Sequence, residues 1–190
     1  MKNIKVYIKE GLADWGEDDK LNKKISKQTS KAAIKKEIRN WIKANYYNVK
    51  VNSLEFNFDT FPVTVDYTRD ELYIKRGVTS LTNGMFQWGE IDGVFYCGNS
   101  RIKNFEGGPK KVNNTFNCDH CLDLVDMKGV PDYIGGTFYC HLCPNLQHIT
   151  LPEYVKHGTS FGGLPSLKDN LEKMAQKVQY PVYLGGKKLN

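Results

Sequence analysis

Apolar and polar residues alternate along short segments of this chain, and the alternation returns at intervals of 21 and 22 residues. The clearest segments are Phe95-Tyr96-Cys97, Phe116-Asn117-Cys118 and Phe138-Tyr139-Cys140. In a β-strand, this pattern places the Phe and the Cys on one face and the residue between them on the other. Because the Phe and the Cys recur while the middle residue varies, we predict that the Phe/Cys face lies in the core.

Further apolar columns hold the same register through each repeat. They are Ile102, Leu124 and Leu146; Phe105, Met127 and Ile149; Pro109, Pro131 and Pro152; and Val112, Ile134 and Val155. One unit of this size cannot bury its apolar side alone, so consecutive units must stack. The sequence therefore predicts an α+β protein built on a short leucine-rich-repeat-like β-solenoid, with about 21–22 residues per coil.

Weaker units flank the three regular ones. Upstream, Tyr73 falls close to the column of Phe95, and downstream Phe161 lies 23 residues after Phe138. We assign both residues to the core Phe column of atypical terminal coils, since end repeats commonly depart from the consensus.

A helix is predicted before the solenoid, over residues 30–44. Four apolar residues recur there at helical spacing: Ile34, Ile38, Trp41 and Ile42. Thr29 or Ser30 is the expected N-cap and Asn45 the expected end. The polar residues 10–28 are predicted to form a linker.

Three domains follow from this pattern: a basic amino-terminal region (1–50), the repeat solenoid (51–165) and a carboxy-terminal cap (166–190). Short strands are expected at Val49–Val51 and Val63–Val65. A helix from Ser166 to Val178, with Ser166 as its N-cap, is expected to close the open end of the solenoid.

Two Cys-x-x-Cys motifs invite a metal hypothesis. Cys118, Cys121, Cys140 and Cys143 have the spacing of a tetrahedral zinc site. The repeat favours another interpretation, because Cys118 and Cys140 share a column with Cys97. Free cysteine packs as a small buried hydrophobe, so we expect a ladder of reduced thiols without a cofactor and keep zinc as the alternative.

The outward positions of the repeat strands are the favoured binding site. Tyr96, Asn117 and Tyr139 form one column, flanked by Thr115 and Thr137. Tyrosine is among the residues that most often anchor protein partners, and solenoids commonly present extended binding surfaces. The alternative is a surface ladder that only supports the sheet.

The net charge of +6 is concentrated at the amino terminus, where residues 1–52 hold 13 Lys and Arg against 6 Asp and Glu. Four cations follow helical spacing there: Lys35, Lys36, Arg39 and Lys43. Such a stripe can neutralise phosphates. Nucleic-acid binding is therefore the alternative function, and a solvated helix face is the simpler interpretation.

An enzyme is not expected. Gly158-Thr159-Ser160-Phe161-Gly162 matches the nucleophile-elbow pattern, which needs a partner Asp and His downstream. No histidine follows His157, and the motifs supply no nucleophile, base and orienting group together.

The unit from Gly93 to Val112, GVFYCGNSRIKNFEGGPKKV, resembles the leucine-rich-repeat-like units of small tailed-bacteriophage proteins. The resemblance covers roughly residues 70–165. It implies a phage-encoded protein that recognises a host or phage protein, in an anti-defence or host-takeover role. A virion component is a further alternative. Because charges interrupt the first twelve residues, no secretory leader is expected, and we expect the protein in the host cytoplasm, off the membrane.

Overall fold

The computed structural model describes residues 20–190. Contacts divide the chain after Glu37, and the solenoid lies entirely in the unit Ile38–Asn190. The helices described are α1 (Lys20–Asn45) and α2 (Lys168–Ala175), with 3-10 turns at Val51–Ser53 and Pro165–Leu167. Neither of these two helices has an apolar stretch long enough to cross a membrane.

The strands are short. They are β1 (Tyr46–Tyr47), β2 (Leu54–Asn57), β3 (Val63–Tyr67), β4 (Glu71–Ile74), β5 (Phe86–Ile91), β6 (Val94–Tyr96), β7 (Lys111–Val112), β8 (Phe116–Asn117), β9 (Tyr133–Ile134), β10 (Phe138–His141), β11 (Tyr154–Val155), β12 (Thr159–Gly162), β13 (Val182–Leu184) and β14 (Lys187–Lys188).

Within residues 20–190 these strands form two sheets. The eight-stranded sheet has the order β1-β4-β6-β8-β10-β12-β13-β14, and the six-stranded sheet has the order β11-β9-β7-β5-β3-β2. From β3 to β12 the chain alternates between the sheets, and each strand pairs in parallel with the strand one turn away. The predicted β-solenoid is therefore confirmed.

The repeat columns form the core. The rings of Phe95 and Phe116 stack with their centroids 5.6 Å apart, and Phe138 follows 5.3 Å from Phe116. The predicted apolar columns are buried, except for Ile149, which is half-buried. Burial of each side chain against the coils on either side supplies the hydrophobic stabilisation that one repeat lacks.

One corner of the coil repeats a left-handed backbone conformation. Positive φ angles occur there in four successive turns, at Asn99 (59°), His120 (60°), Leu142 (54°) and Gly163 (70°). Glycine and asparagine adopt this conformation readily, whereas a leucine does so at a steric cost. The Leu142 N–H donates a hydrogen bond to the Gly162 carbonyl at 2.8 Å, and this bond holds Leu142 in the left-handed conformation.

The register at both ends of the repeat differs by a residue or two from the prediction. Leu72, not Tyr73, pairs with Phe95, so Tyr73 faces outward beside Tyr96. Phe161 pairs with Cys140, and the buried Thr159 occupies the Phe column. An aromatic ring in the Cys column and a small side chain in the Phe column keep the volume of this coil close to that of its neighbours.

The amino-terminal predictions are partly wrong. Residues 10–19 of the predicted linker lie outside the described residues, as does the amino terminus, where no secretory leader is expected. The helix α1 begins at Lys20, so Thr29 and Ser30 lie inside it and residues 20–28 do not form a linker. It ends as expected at Asn45, whose side-chain amide donates to the Trp41 carbonyl at 2.8 Å.

The segment after α1 is a turn rather than the strand expected at Val49–Val51. Asn48 has a positive φ of 49°, and a 3-10 turn follows in which Ser53 donates its N–H to the Lys50 carbonyl. The strand expected at Val63–Val65 is present as β3.

The carboxy-terminal cap contains more than a helix. α2 begins at Lys168 after a 3-10 turn, and Leu167 rather than Ser166 is its N-cap, without a side-chain hydrogen bond. Leu171 and Ala175 of α2 are buried. The chain then returns to the eight-stranded sheet as β13, parallel to β12, and β14 closes this edge in the antiparallel direction.

Candidate binding surface on the eight-stranded sheet

One row of outward side chains crosses all the strands of the eight-stranded sheet. Strand by strand, paired positions place these residues side by side, and we call them the outward row: Tyr47, Tyr73, Tyr96, Asn117, Tyr139, Ser160, Tyr183 and Lys188. Neighbouring parallel strands lie about 4.8 Å apart. Five tyrosines therefore share one continuous row of paired positions on a hydrogen-bonded sheet.

The predicted binding residues lie at the centre of this row. Tyr96, Asn117 and Tyr139 occupy consecutive strands and are half-buried. Thr115 and Thr137 are half-buried two positions earlier along the chain, and their carbonyls accept the N–H groups of the core residues one strand away. The backbone that presents the row is thus fixed by the same ladder that stacks the coils.

Three tyrosines of the row were missed by sequence reasoning. Tyr73 was assigned to the core, and its outward direction follows from the one-residue change of register. Tyr47 pairs with Tyr73 through an antiparallel strand, and Tyr183 reaches the sheet only after α2. Neither Tyr47 nor Tyr183 lies in a repeat, so the repeat period carries no signal for them.

Local contacts fix the rings at one end of the row. The Tyr73 and Tyr96 ring centroids lie 5.4 Å apart at 44°. The Tyr96 ring extends over Gly98, where a Cβ would lie 2.7 Å from the ring, and the Asn99 side-chain amide donates to the Tyr96 hydroxyl at 3.0 Å. Burial, followed by the nearby Glu71 carboxylate, raises the pKa of Tyr73. Ionisation of this hydroxyl is therefore harder than that of a free tyrosine.

A chain of polar contacts lies beside the middle of the row, between Asn117 and Ser160. Asp119 accepts the His141 backbone N–H at 2.7 Å, and Asn117 donates its amide to the same carboxylate at 3.0 Å. The His141 Nδ1 atom lies 3.5 Å from Asp119 Oδ1, and His141 Nε2 lies 2.9 Å from Ser160 Oγ. Aspartate, histidine and serine from three successive turns are thereby brought together.

The cysteines lie on the inner side of the same sheet. All five are free and buried. Cys97, Cys118 and Cys140 form one column, and Cys121 and Cys143 follow Ser100 in a second column at the corner of the coil. Sulfur atoms of the two columns meet, for Cys140 and Cys143 at a separation of 3.7 Å.

Backbone carbonyl groups accept the thiol protons. Cys118 donates to the Tyr139 carbonyl and Cys143 to the Cys118 carbonyl, both at 3.3 Å. Burial raises the pKa of Cys97 and Cys118, whereas hydrogen bonds with Cys118 and Cys143 lower the pKa of Cys140. Among the described residues, no group of three or more His, Cys, Asp and Glu is placed to hold a metal ion. Zinc at Cys118, Cys121, Cys140 and Cys143 stays a prediction, which metal analysis of the purified protein tests.

The cations of the alternative nucleic-acid site lie along α1. Lys36 and Lys43 are exposed, and Lys35 is half-buried. Arg39 is half-buried, and its guanidinium carbon lies 5.2 Å from the centre of the Phe56 ring. Arg39 therefore has a packing contact with strand β2, which a purely solvated stripe would not show.

Comparisons of the chain with models of protein families, with curated proteins and with solved structures give no match.

Proposed function

We propose that this chain is a binding protein that recognises another protein through the outward row of the eight-stranded sheet. The observation that carries the proposal is the alignment of five tyrosines on one sheet face. A tyrosine ring buries a large area and its hydroxyl forms a hydrogen bond, at a low cost in side-chain entropy. Side chains presented by a paired sheet are also already ordered, which lowers the entropy lost on binding.

The proposed setting is a phage-infected cell. It comes from the resemblance of the repeat to small phage proteins, with the protein in the host cytoplasm and acting against host defence or in host takeover. The surface supports recognition as such and does not select between a host and a phage partner.

Nucleic-acid binding through Lys35, Lys36, Arg39 and Lys43 is the second candidate function. The exposure of Lys36 and Lys43 favours it, whereas the packing of Arg39 against Phe56 removes part of the stripe from solvent. A virion component is the third candidate, and its test is detection of the chain in purified particles.

The test of recognition is an affinity pull-down of the tagged full chain from host lysate, with and without nuclease, analysed by mass spectrometry. A discrete protein that stays bound after nuclease treatment supports the proposal. Capture that disappears with nuclease, and weakens steeply with salt, supports the basic helix instead.

Matched double variants connect any capture to the surface. Tyr96→Ala with Tyr139→Ala removes two rings of the outward row, and we expect at least a tenfold loss of captured partner, as for anchor residues. Tyr133→Ala with Tyr154→Ala removes a stacked pair from the six-stranded sheet, where the centroids lie 4.9 Å apart. The proposal is wrong if both folded variants retain capture, or if only the second loses it.

A further inference from the structure

The Asp119–His141–Ser160 chain on the eight-stranded sheet has the connectivity of a base-activated serine. The first contact joins Ser160 Oγ to His141 Nε2 at 2.9 Å, within the reach required of a general base. The second joins His141 Nδ1 to Asp119 Oδ1 at 3.5 Å, a separation that suits a resting site, where such contacts are long. Such constellations are recognised by geometry and roles, and not by order along the chain.

The fold explains why these three residues meet. Asp119 and His141 each follow the buried cysteine of their turn, so they occupy the same outward position of successive coils. Ser160 lies one strand further on, paired with Tyr139. The nucleophile-elbow pattern requires a histidine after the serine, whereas the solenoid supplies His141 from the preceding turn.

All three residues of the chain of contacts are partly exposed. The Asp119 side chain is 19% exposed and the His141 side chain 33% exposed, and Ser160 is half-buried at the surface. Asp119 is further fixed by hydrogen bonds from Asn117 and from the His141 backbone. Asp119 is thus more enclosed than the histidine that it orients, and Ser160 keeps part of its surface exposed.

We propose that Ser160 is a nucleophile activated by His141, with Asp119 as a positioning residue, and that it takes the acyl group of aryl esters. Tyr139 and Tyr183 occupy the paired outward positions on both sides of Ser160. Two flanking tyrosines favour an aromatic leaving group over a charged one. The activity goes beyond recognition. Tyr139, Ser160 and Tyr183 belong to the outward row, but the reaction is tested by its own chemistry and not by partner capture.

The reaction begins when the Ser160 oxygen attacks the ester carbonyl carbon while the Oγ proton moves to His141 Nε2. The carbon–oxygen bond to the aryl group then breaks, and the phenolate takes that proton. An acyl-serine remains, which water hydrolyses with His141 as the base.

The rate is expected to be modest. Ser160 lies inside β12, between β10 and β13, so its backbone is engaged in the sheet ladder. An oxyanion hole is usually the largest contribution to acyl transfer, and a mid-strand serine does not supply one with its own N–H. The acceleration over the uncatalysed reaction therefore comes from the general base and is about 10²–10⁴-fold. We also expect the acyl-serine to accumulate.

The test uses the full chain with two probes, a fluorophosphonate and p-nitrophenyl acetate. Intact mass and peptide mapping locate the adduct, and p-nitrophenolate release gives the rate. We expect one adduct on Ser160, its loss in Ser160→Ala, and at least a tenfold slower reaction in His141→Gln. Ser166→Ala is the matched control, an exposed serine in the turn before α2, and should react like the wild type.

Three outcomes overturn the proposal: no adduct on the folded wild type, an adduct on a tyrosine instead of Ser160, or a Ser160 rate unchanged by His141→Gln. Peptide mapping on the wild type decides the site even where a variant fails to fold. Asp119→Asn separates positioning from structure, because it should slow the reaction while far-ultraviolet circular dichroism and substrate KM stay unchanged.

Discussion

The two sheets of the solenoid share one core but differ in their outward faces. On the six-stranded sheet the outward side chains satisfy one another. Lys111 Nζ contacts Glu90 Oε1 at 2.8 Å, and the Asn113 amide donates to the same oxygen at 2.7 Å. On the eight-stranded sheet the outward row instead brings tyrosine rings together with Asn117, Ser160 and a terminal lysine.

The difference shows how a repeat separates stability from function. Inward positions of both sheets are restricted by close packing, where a change of one methylene affects stability. Outward positions are less restricted. The six-stranded sheet therefore carries the Lys111–Glu90 ion pair and the stacked Tyr133 and Tyr154 rings on its outward face, whereas the outward row of the eight-stranded sheet is the face proposed for recognition and chemistry. A core substitution should therefore disturb both sheets, and an outward substitution only its own face.

The largest expected effect comes from Phe116→Ala. The Phe116 ring contacts Phe95 and Phe138 in its own column and Phe105 on the remaining wall of the coil, at 5.2 Å. Truncation should lower the free energy of unfolding by about 3–5 kcal/mol, as measured by urea denaturation. Asn117→Ala, one residue along the same strand, is the control and should cost about 1 kcal/mol or less. Equal losses would contradict the division between faces.

The next effect concerns the terminal coil, where Thr159 occupies the Phe column. Its side chain is buried, and its Oγ1 atom has no hydrogen-bond partner among the described residues. Because an unsatisfied buried hydroxyl costs about 1–3 kcal/mol, Thr159→Val should raise the free energy of unfolding by about 1 kcal/mol. Thr137→Val, the same change at a half-buried outward position, should alter it by about 0.5 kcal/mol or less. A destabilised Thr159→Val protein would show that the hydroxyl has a partner in solution.

Sequence was sufficient for the middle of the solenoid because size and apolarity restrict inward columns strongly. The columns through Phe116 and Ile134 are buried as the repeat predicts. At the ends, matching one aromatic residue with another gave the wrong register for Tyr73 and Phe161. For Tyr73, alternation allows either face. Thr159 and Phe161 share the inward face, and the small side chain of Thr159 in the Phe column compensates the ring of Phe161 in the Cys column.

The site was predictable only where it coincides with the repeat. Tyr96, Asn117 and Tyr139 are repeat-equivalent, so their adjacency follows from the period. The Asp119–His141–Ser160 chain combines different residue types in successive turns, so the repeat period carries no signal for it. Gly162 and Gly163 occupy the positions that His141 and Leu142 occupy one turn earlier. Matching these two corners in the sequence would have aligned Ser160 with Tyr139.

A smaller gain in stability is expected at the left-handed corner beneath the eight-stranded sheet. Leu142 has a φ of 54° and is 49% exposed, so it bears the steric cost of this conformation with little burial in return. Asparagine, already present at the equivalent Asn99, tolerates the region better. Leu142→Asn should raise the thermal midpoint, corresponding to about 0.5–1 kcal/mol. Leu122→Asn, at an exposed leucine without positive φ, controls for the loss of apolar surface, and an equal gain there would rule out backbone strain as the cause.

The smallest effect tests the ion-paired face of the six-stranded sheet. The hydrogen bond from Lys111, then that from Asn113, lowers the pKa of the Glu90 carboxyl from 4.5. A carboxyl with a lowered folded pKa adds stability above its unfolded pKa, and this stability is lost as the pH falls through the folded value. Because Glu90 is 42% exposed, the contribution should be about 0.2–1 kcal/mol. The free energies of unfolding of wild type and Glu90→Gln should therefore differ near neutral pH and converge as the pH falls to about 3. A difference between wild type and Glu90→Gln that is the same at both pH values would assign the effect to packing and not to charge.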